Sequence, residues 1–383
     1  MNNKTFFSIK ETAGIMTSVL PVALSMAVCA GMGVFTGAVF ACIAALICGT
    51  VDEKKQMPAY ASFLIITFAF KEFGSATASL SVIICGLLLA FSGPFFNKAK
   101  EKLDNLPDNP VIGTIMLLCS LTVTILFTTD YFSIGATGNT NREIIESYIS
   151  LGFHPNWRGV LYGTIVMVIM ITFPRKFKKT TKIISAAFMA LIITTTLNLF
   201  LNPSDMITSI REIGAVSFSE YKDVILLPIL SSKPSLLHSI VCGISLYLIC
   251  FLMLLQNNSK KSDFILSGII NCASGFVTCM PVPKITEKKN LLNGVIASLL
   301  TGLIFFVFQD YIARIPVHSC AVVLIVGAWQ SVKWSEVKKA FSSTLNIFIF
   351  AVIIIFGLLK SFEFIPVYAL AALSVYSNAT KKY

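Results

Sequence analysis

Two Met-Pro pairs, Met57-Pro58 and Met280-Pro281, open apolar stretches that are too short to cross a bilayer. The first stretch ends near Phe70, and the second meets charged residues almost at once. Because a membrane span needs about 20 apolar residues, stretches of roughly half that length end inside the protein, where a helix terminus points into it. Paired interrupted segments at matching places in two halves of a membrane chain are the sequence mark of a transporter's substrate site.

The composition defines the class of protein that would hold such a site. Of the 383 residues, 55% are hydrophobic and 13% are charged, and the mean hydropathy is +0.80. Apolar runs recur along the whole chain, which predicts a polytopic helical membrane protein. The first run, residues 13–30, is long enough to span and lacks the pattern of a cleaved signal peptide, so we expect no signal peptide.

Patterns typical of enzymes and metal sites are missing from the sequence. The ten Cys residues lie in or beside apolar segments without a CxxC pair, and we interpret them as small buried side chains. His154, His238 and His318 are far apart, and no HExxH, GxSxG or Gly-rich phosphate loop occurs. We therefore expect a protein that is not an enzyme and that uses no cofactor and no metal.

Fourteen apolar segments can be counted, beginning near residues 13, 32, 58, 75, 111, 158, 181, 235, 262, 280, 291, 317, 341 and 362. The two short ones are the third and the tenth, and their Met-Pro pairs lie 223 residues apart, so the chain divides into repeats of seven segments, residues 1–205 and 206–383. An odd number of segments per repeat inverts the second copy. We predict an all-α polytopic membrane protein of about 14 transmembrane segments in two inverted repeats, with segments 3 and 10 as half-helices.

The distribution of basic residues supports this topology. If both termini are cytoplasmic, the inner loops hold 22 of the 30 Lys and Arg residues, and every inner loop is basic. This asymmetry is the positive-inside pattern, and it accounts for the net charge of +11 without a nucleic acid partner. We predict a multi-pass protein of the plasma (inner) membrane, with caps or short surface helices in the outer connections at residues 130–157 and 202–233.

Several stretches resemble the SulP family of sulfate-permease-like anion transporters. Residues 10–49, with Pro21 inside the first span, resemble the opening of that family. Residues 271–276 (NCASGF), which lead to Met280-Pro281, are similar to its approach to the tenth segment. Ile315-Pro316, followed by residues 323–327 (VLIVG) and Trp334, resembles its twelfth. The likeness covers most of the chain, although each motif is short.

The resemblance implies a core domain that moves against a gate domain, and an anion held between the facing N-termini of half-helices three and ten. Backbone N–H groups of Ala59, Tyr60 and Ala61 and of Val282, Pro283 and Lys284 would mark these two ends, apart from the proline, which has no N–H. Each helix N-terminus carries roughly half a positive charge, so two of them favour an anion without a basic side chain. Most SulP members also carry a cytoplasmic STAS domain, which we do not expect here because the chain stops at Tyr383.

The departures from the family pattern fall on the site itself. Where the family usually reads Gly-Pro-Thr, this chain reads Met57-Pro58-Ala59, so a hydroxyl group is missing. Segment eight often carries an acidic residue that serves a coupling cation, but residues 246–255 are uncharged, which argues against sodium or proton coupling there. The tenth segment is shortened, and Lys288 falls near the family's basic residue. Lys284 and Lys288 either pair with the anion or are ordinary inner-loop charges, and the second interpretation is favoured.

Among other side chains, Tyr60 is a candidate to face the anion through its hydroxyl, with packing as the equal alternative. Met26 occupies a position that lines the cavity in similar proteins, although apolar residues on a spanning helix are more often packing residues. The predicted substrate site comprises the following residues: Met26, Ala59, Tyr60, Ala61, Val282, Pro283, Lys284 and Lys288.

The leading functional hypothesis is a secondary-active or facilitative transporter of a small anion, of the sulfate, bicarbonate, chloride or carboxylate class, working by alternating access. The missing Thr and acid and the short tenth segment leave open a transport-deficient membrane scaffold or partner subunit. A nucleobase transporter of similar fold ranks lowest, since Glu287 is the only acid near the eighth or tenth segment. We expect the protein to lie in a lipid bilayer. The sequence does not determine the oligomeric state, and a homodimer is compatible with it.

Overall fold

The computed structural model describes residues 8–48, 60–95, 111–201, 208–209, 233–256, 261–277, 280–281, 291–360 and 364. Within these ranges the chain forms α-helices and short 3₁₀ turns, and its only β-type pairing is an isolated bridge between Ser209 and Pro316. The helices of the first half are α1 (Ile9–Cys29), α2 (Val34–Cys48), α3 (Tyr60–Ser92), α4 (Val111–Phe132), α5 (Asn141–Leu151), α6 (Trp157–Lys176) and α7 (Ala186–Leu201). Those of the second half are α8 (Leu236–Gln256), α9 (Lys261–Val277), α10 (Leu291–Val307), α11 (Gln309–Ile312), α12 (Val317–Ser331), α13 (Trp334–Lys339) and α14 (Thr344–Leu359).

The apolar composition of the helices explains why the chain is helical throughout the described ranges. In a bilayer every backbone N–H and C=O group must be bonded within the protein, and a helix does this inside one segment. Within the described residues, α1, α3, α4 and α6 are long and apolar enough to cross a membrane, and seven further apolar helices are shorter. The chain is therefore a multi-pass membrane protein, as the composition predicts.

The predicted short third segment is present as the first part of α3. Gly74 interrupts this helix with a backbone φ of 82°, a left-handed conformation that glycine adopts without strain. The stretch from Tyr60 to the break has fewer than the ~20 residues that a span requires, and the fourth segment follows it. The partner half-helix of segment ten, at residues 282–290, and most of segment fourteen lie outside the described residues, so the inverted-repeat arrangement stays a prediction.

The described helices pack into two bundles. In the core bundle, α3 packs on α8 and α9, α2 packs on α10, and α1 packs on both α2 and α10. In the gate bundle, α4 packs on α12, α13 and α14, and α6 packs on α12 and α7. The two bundles meet where α1 contacts α12 and α7, and where α3 contacts α4. This interface is where any relative movement of the bundles would occur.

Polar contacts between the bundles concentrate near the ends of the interface. Near one end, Thr17 of α1 donates a hydrogen bond of 2.9 Å to the carbonyl of Ile183, and Ser185, just before α7, donates to the backbone carbonyl of Thr17. Near the other end, the hydroxyl of Tyr311 in α11 donates to the carbonyl of Ile192 in α7 at 2.8 Å. Aromatic and small side chains fill the space between, including stacked rings of Phe63 in α3 and Phe127 in α4, 5.7 Å apart.

The outer connection after α4 contains one surface helix, α5, which confirms part of the prediction for residues 130–157. Thr140 caps this helix by accepting a hydrogen bond from the backbone N–H of Glu143 at 3.1 Å. Arg142 and Glu146 form an exposed ion pair one turn apart, which raises the pKa of the Arg142 guanidinium. Residues 202–207 and 210–232 of the second connection lie outside the described residues.

Close backbone contact between α3 and α9 holds the core bundle together. A Cβ atom on Gly86 would lie 2.6 Å from the carbonyl oxygen of Gly268, and one on Gly268 would lie 2.6 Å from the carbonyl oxygen of Gly86. Small residues at such crossings let two membrane helices approach until their backbones touch. The crossing therefore requires glycine on both helices, because either added methyl group would push the backbones apart.

We predict that Gly268→Ala destabilises the purified protein by about 1–3 kcal/mol, the usual effect of overpacking. The measurement is the thermal unfolding midpoint in detergent, followed by size-exclusion chromatography. Gly302→Ala is the matched control, because a Cβ there would meet only Cys42 Sγ, at 3.5 Å. If both variants unfold at the same temperature as the unmodified protein, the close crossing of α3 and α9 is wrong.

Candidate functional site

The start of α3 is the part of the predicted anion site that the structure describes best. Tyr60 is its first residue and is 3% exposed. The first-turn N–H groups of a helix, here those of Tyr60, Ala61 and Ser62, have no partner within the helix. Tyr60 is buried, so the described start of α3 lies inside the protein rather than at its surface. Residues 49–59, directly before it, lie outside the described residues. A helix N-terminus carries partial positive charge, and an anion held at this one stays a prediction.

The Tyr60 side chain reaches across the bundle interface. A Cβ atom on Gly327 of α12 would lie 2.0 Å from the Tyr60 hydroxyl oxygen and 3.2 Å from the ring carbon that carries it. The hydroxyl therefore packs directly on the backbone of a gate helix, and Gly327 leaves the space for it. The contact shows what the Tyr60 side chain packs on, and whether its hydroxyl also faces an anion stays a prediction.

The eighth segment contributes a thiol near this helix end. Cys250 of α8 lies 3.7 Å from Ser62, measured from sulfur to hydroxyl oxygen, and both side chains are buried. The thiol of Cys250 is also hydrogen-bonded to the thiol of Cys85, in the later part of α3. The sequence predicts that residues 246–255 carry no charge. In the structure the member of this stretch that lies beside the first turn of α3 is Cys250, whose side chain is a thiol.

The approach to the tenth segment is described up to its Met-Pro pair. Met280 is buried, as is Pro281, and Ser274 near the end of α9 donates its hydroxyl hydrogen to the carbonyl oxygen of Met280. Asn271, one turn earlier, is also buried and donates to the carbonyl of Ser267 at 2.9 Å. These bonds fix the chain where the second half-helix is expected to start.

Met26 lies in α1 and is 5% exposed. Its neighbour Ser25 is fully buried and lies beside the thiol of Cys320 in α12. The Ser25 side of α1 therefore faces the gate bundle. Whether Met26 touches substrate stays a prediction.

The structure describes only some of the remaining predicted site residues. The backbone of Ala61 belongs to the first turn of α3, whereas Ala59, Val282, Pro283, Lys284 and Lys288 lie outside the described residues. The two interpretations of Lys284 and Lys288, as cavity charges or as inner-loop charges, therefore both stand. Within the described ranges, no group of three or more His, Cys, Asp or Glu side chains is placed to hold a metal ion.

The interface also encloses an apolar cavity of about 360 Å³ between α1, α7 and α10. Pro21, Leu24, Thr195 and Ile304 are among the residues that line it. Its lining contains no charged side chain, and the hydroxyl of Thr195 is already donated to the carbonyl of Leu191 at 2.6 Å. The described lining of this cavity is therefore mainly apolar and offers an anion little to replace its hydration.

Sequence reasoning missed a pair of opposite charges between the bundles. Asp130 near the end of α4 interacts electrostatically with Lys71, which lies three residues before the break at Gly74 in α3, and Cys29 at the end of α1 lies close to both. The sequence analysis placed Asp130 at the start of a loop, whereas the helix continues to Phe132. A single acid at the end of a long apolar run was the signal available, because charges in such segments are rarely incidental.

The fold of this chain consists of two helical bundles that meet at an interface, with α3 broken at Gly74. Structures solved for a bicarbonate transporter and for an anion transporter share that fold. The transmembrane domain of the cyanobacterial bicarbonate transporter BicA matches with a TM-score of 0.69 and 16% identity, over 97% of this chain and 98% of that one.

Two structures of SLC26A9 share the fold. One has a TM-score of 0.61 and 14% identity over 97% of this chain. The other, the murine Slc26a9 anion transporter in the inward-facing state, has a TM-score of 0.65 and 12% identity over 98% of this chain. The chain spans 65% and 69% of the two SLC26A9 chains. No protein-family model and no curated protein sequence matches it. The all-α fold that the resemblance to SulP transporters implies is thereby confirmed.

The contact between Tyr60 and Gly327 generates a double-mutant prediction. Gly327→Ala should destabilise the protein by about 1–3 kcal/mol, because the new methyl group collides with the Tyr60 hydroxyl. In the Tyr60→Phe background the same change should be milder by at least about 0.5 kcal/mol, since the colliding oxygen is gone. The measurement is thermal unfolding of the four proteins in one detergent. Strictly additive effects would mean that the two residues are not in contact.

Proposed function

We propose that this protein is a SulP-like secondary transporter or facilitator of small anions that works by alternating access. The observation that carries the proposal is the fold match to BicA over nearly the whole of both chains, with α3 beginning, as a half-helix does, at the interface of two bundles. BicA is a bicarbonate transporter and murine Slc26a9 is an anion transporter, which supports an anionic substrate for this chain.

The chemistry of the described site supports an anion rather than a cation or a neutral ring. The first turn of α3 offers N–H donors and a positive dipole end, and Ser62 and Cys250 beside it are neutral. A nucleobase would need acidic partners for its ring N–H groups, and the side chains described around this helix end supply none. Backbone donors select charge sign and size, so bicarbonate, chloride, sulfate and small carboxylates all remain within the substrate class.

Alternating access requires that the bundles separate at one end while they close at the other. The hydrogen bonds of Thr17 and Tyr311 lie near the ends of the interface, and apolar side chains of both bundles pack between them. The interaction of Lys71 with Asp130 would hold α3 and α4 together at the end where the half-helix finishes. A protein that is closed at that end would be open at the other, as in the inward-facing state named for murine Slc26a9.

Coupling to a cation through segment eight receives no support from the site. Sodium and protons are held in membranes by carboxylates or clustered oxygen atoms. The side chain that α8 places beside the first turn of α3 is the Cys250 thiol. We therefore infer facilitated transport or anion exchange, rather than cation symport, at this position.

The transport proposal is tested with purified protein in liposomes, by influx of sulfate, bicarbonate, chloride, oxalate and fumarate. We expect at least one anion to enter faster than in protein-free liposomes, and Tyr60→Phe to change its half-saturation concentration severalfold because the hydroxyl lies at the helix end. Lys288→Ala run in parallel distinguishes a site lysine from a loop lysine, with the exposed Lys179→Ala as control.

Absence of flux for all five anions contradicts the proposal, and a protein that copurifies in equal amount would then favour the partner-subunit alternative.

A second test addresses alternating access through Lys71 and Asp130. Lys71→Met and Asp130→Asn should each shift the balance of the two access states by at most about fivefold, since an electrostatic attraction of this kind contributes at most about 1 kcal/mol. The measurement is the half-saturation concentration for influx and for efflux in liposomes with oriented protein. Exchanging the two residues, Lys71→Asp with Asp130→Lys, should restore the unmodified ratio. If the exchange behaves as the sum of two damaging changes, the pair does not act as a closing contact.

A further inference from the structure

A second cavity, of about 640 Å³, lies in the gate bundle between the C-terminal halves of α6 and α12. It is separate from the bundle interface, because α12 stands between it and the core bundle and presents Gly327 to Tyr60 there. Its volume falls in the range of cavities that bind organic ligands. The lining residues divide into an apolar wall and a polar end.

The apolar wall is built by Met167, Met170 and Ile171 of α6 and by Ile325 and Val326 of α12. Ile171 is 40% exposed, whereas Met170 and Val326 are buried, so the wall runs from the surface inward. Side chains of this kind, on helices of a membrane protein, offer contact to hydrocarbon and no hydrogen bonds. The wall therefore suits an acyl chain.

The polar end is formed by Arg175, Gln330, Trp329 and Trp334. The two indole rings are stacked with centroids 6.1 Å apart, and the Trp329 N–H group donates to the hydroxyl of Thr124 at 2.8 Å. The Gln330 amide donates to the carbonyl of Met170 at 3.2 Å, which leaves its oxygen as an acceptor. Trp and Arg side chains together are typical of the headgroup level of a bilayer.

Positive charge surrounds this end of the cavity. Arg175 and Lys176 close α6, and they are followed by Lys178, Lys179 and Lys182. The acidic side chain in the short helix that follows, Glu336, is already paired with Lys339 at 3.1 Å. A ligand with a negative group would thus meet the guanidinium of Arg175 without a competing carboxylate from α13.

The geometry points to a binding site for one anionic phospholipid, with its phosphate at Arg175, its glycerol region against Trp329 and Trp334, and one acyl chain along the wall of Met167 and Ile171. The bilayer is the source of such a ligand, and the charge of the surrounding Lys and Arg residues matches its headgroup. A free inorganic anion would use only the polar end and leave the apolar wall uncovered. The site is independent of the transport proposal.

The test uses full-length protein purified in detergent and mixed with phosphatidylglycerol or phosphatidylcholine. Native mass spectrometry counts the lipids retained, and thermal unfolding measures the stabilisation. We expect phosphatidylglycerol to be retained at least about tenfold better than phosphatidylcholine. Arg175→Gln should remove that preference, and Lys179→Gln, whose side chain does not line the cavity, should keep it.

A filling variant separates the acyl-chain contact from general surface charge. Ile171→Trp keeps every basic residue but occupies the cavity, and its partly exposed position tolerates a larger side chain. We expect it to reduce phosphatidylglycerol retention as strongly as Arg175→Gln. The proposal is overturned if Ile171→Trp has no effect, if Lys179→Gln loses as much lipid as Arg175→Gln, or if inorganic phosphate at millimolar concentration displaces the lipid completely.

Discussion

The structure depends on the way in which a helix end inside a membrane protein is accommodated. A spanning helix leaves its unpaired N–H groups in water, but α3 starts at a residue that is 3% exposed. Unbonded amide groups in hydrocarbon cost several kcal/mol each, so the surrounding helices must enclose them and something polar must meet them. In the transport proposal an anion would be that partner, with the correct sign of charge. Cys250 of α8 lies beside Ser62 and Gly327 of α12 lies beside Tyr60, so enclosure of the helix end and the proposed capture of substrate would answer one physical requirement.

Enclosure of this kind demands helices that approach closely, and the two bundles achieve it differently. Inside the core bundle, Gly86 and Gly268 bring two backbones into contact, and buried hydroxyls such as those of Ser81 and Thr301 are bonded to their own helices. Between the bundles the packing is mainly apolar, and Tyr60 on Gly327 is one of its close contacts. Apolar contacts lack the fixed direction of hydrogen bonds, so two such bundles can move against each other while each keeps its own internal packing.

The sequence predicted the class of fold because hydropathy records what lipid requires. It also predicted the short third segment, since Met57-Pro58 marks a start that is too close to the next segment, and the break at Gly74 confirms it. The contact of Tyr60 with Gly327 was not predictable, because those residues are far apart in the chain and a lone glycine in an apolar run carries no mark of its partner. The interaction of Lys71 with Asp130 was not predictable for the same reason, although the sequence shows both charged residues. Contacts between residues that are far apart in the chain depend on how the helices pack. The hydropathy of the sequence does not determine that packing.

The absence of a fixed charge beside the described helix end has a consequence for how an anion would be handled. A buried ammonium group would bind an anion tightly and would remain an unpaired charge whenever the site was empty, which is expensive in a membrane. A dipole end surrounded by the neutral Ser62 and Cys250 has neither problem. Its attraction is moderate, so the anion can leave as readily as it enters, and the empty site can move across with little penalty. Capture by backbone groups in a neutral setting would thus suit turnover rather than storage, because such groups select an anion by its charge and size alone.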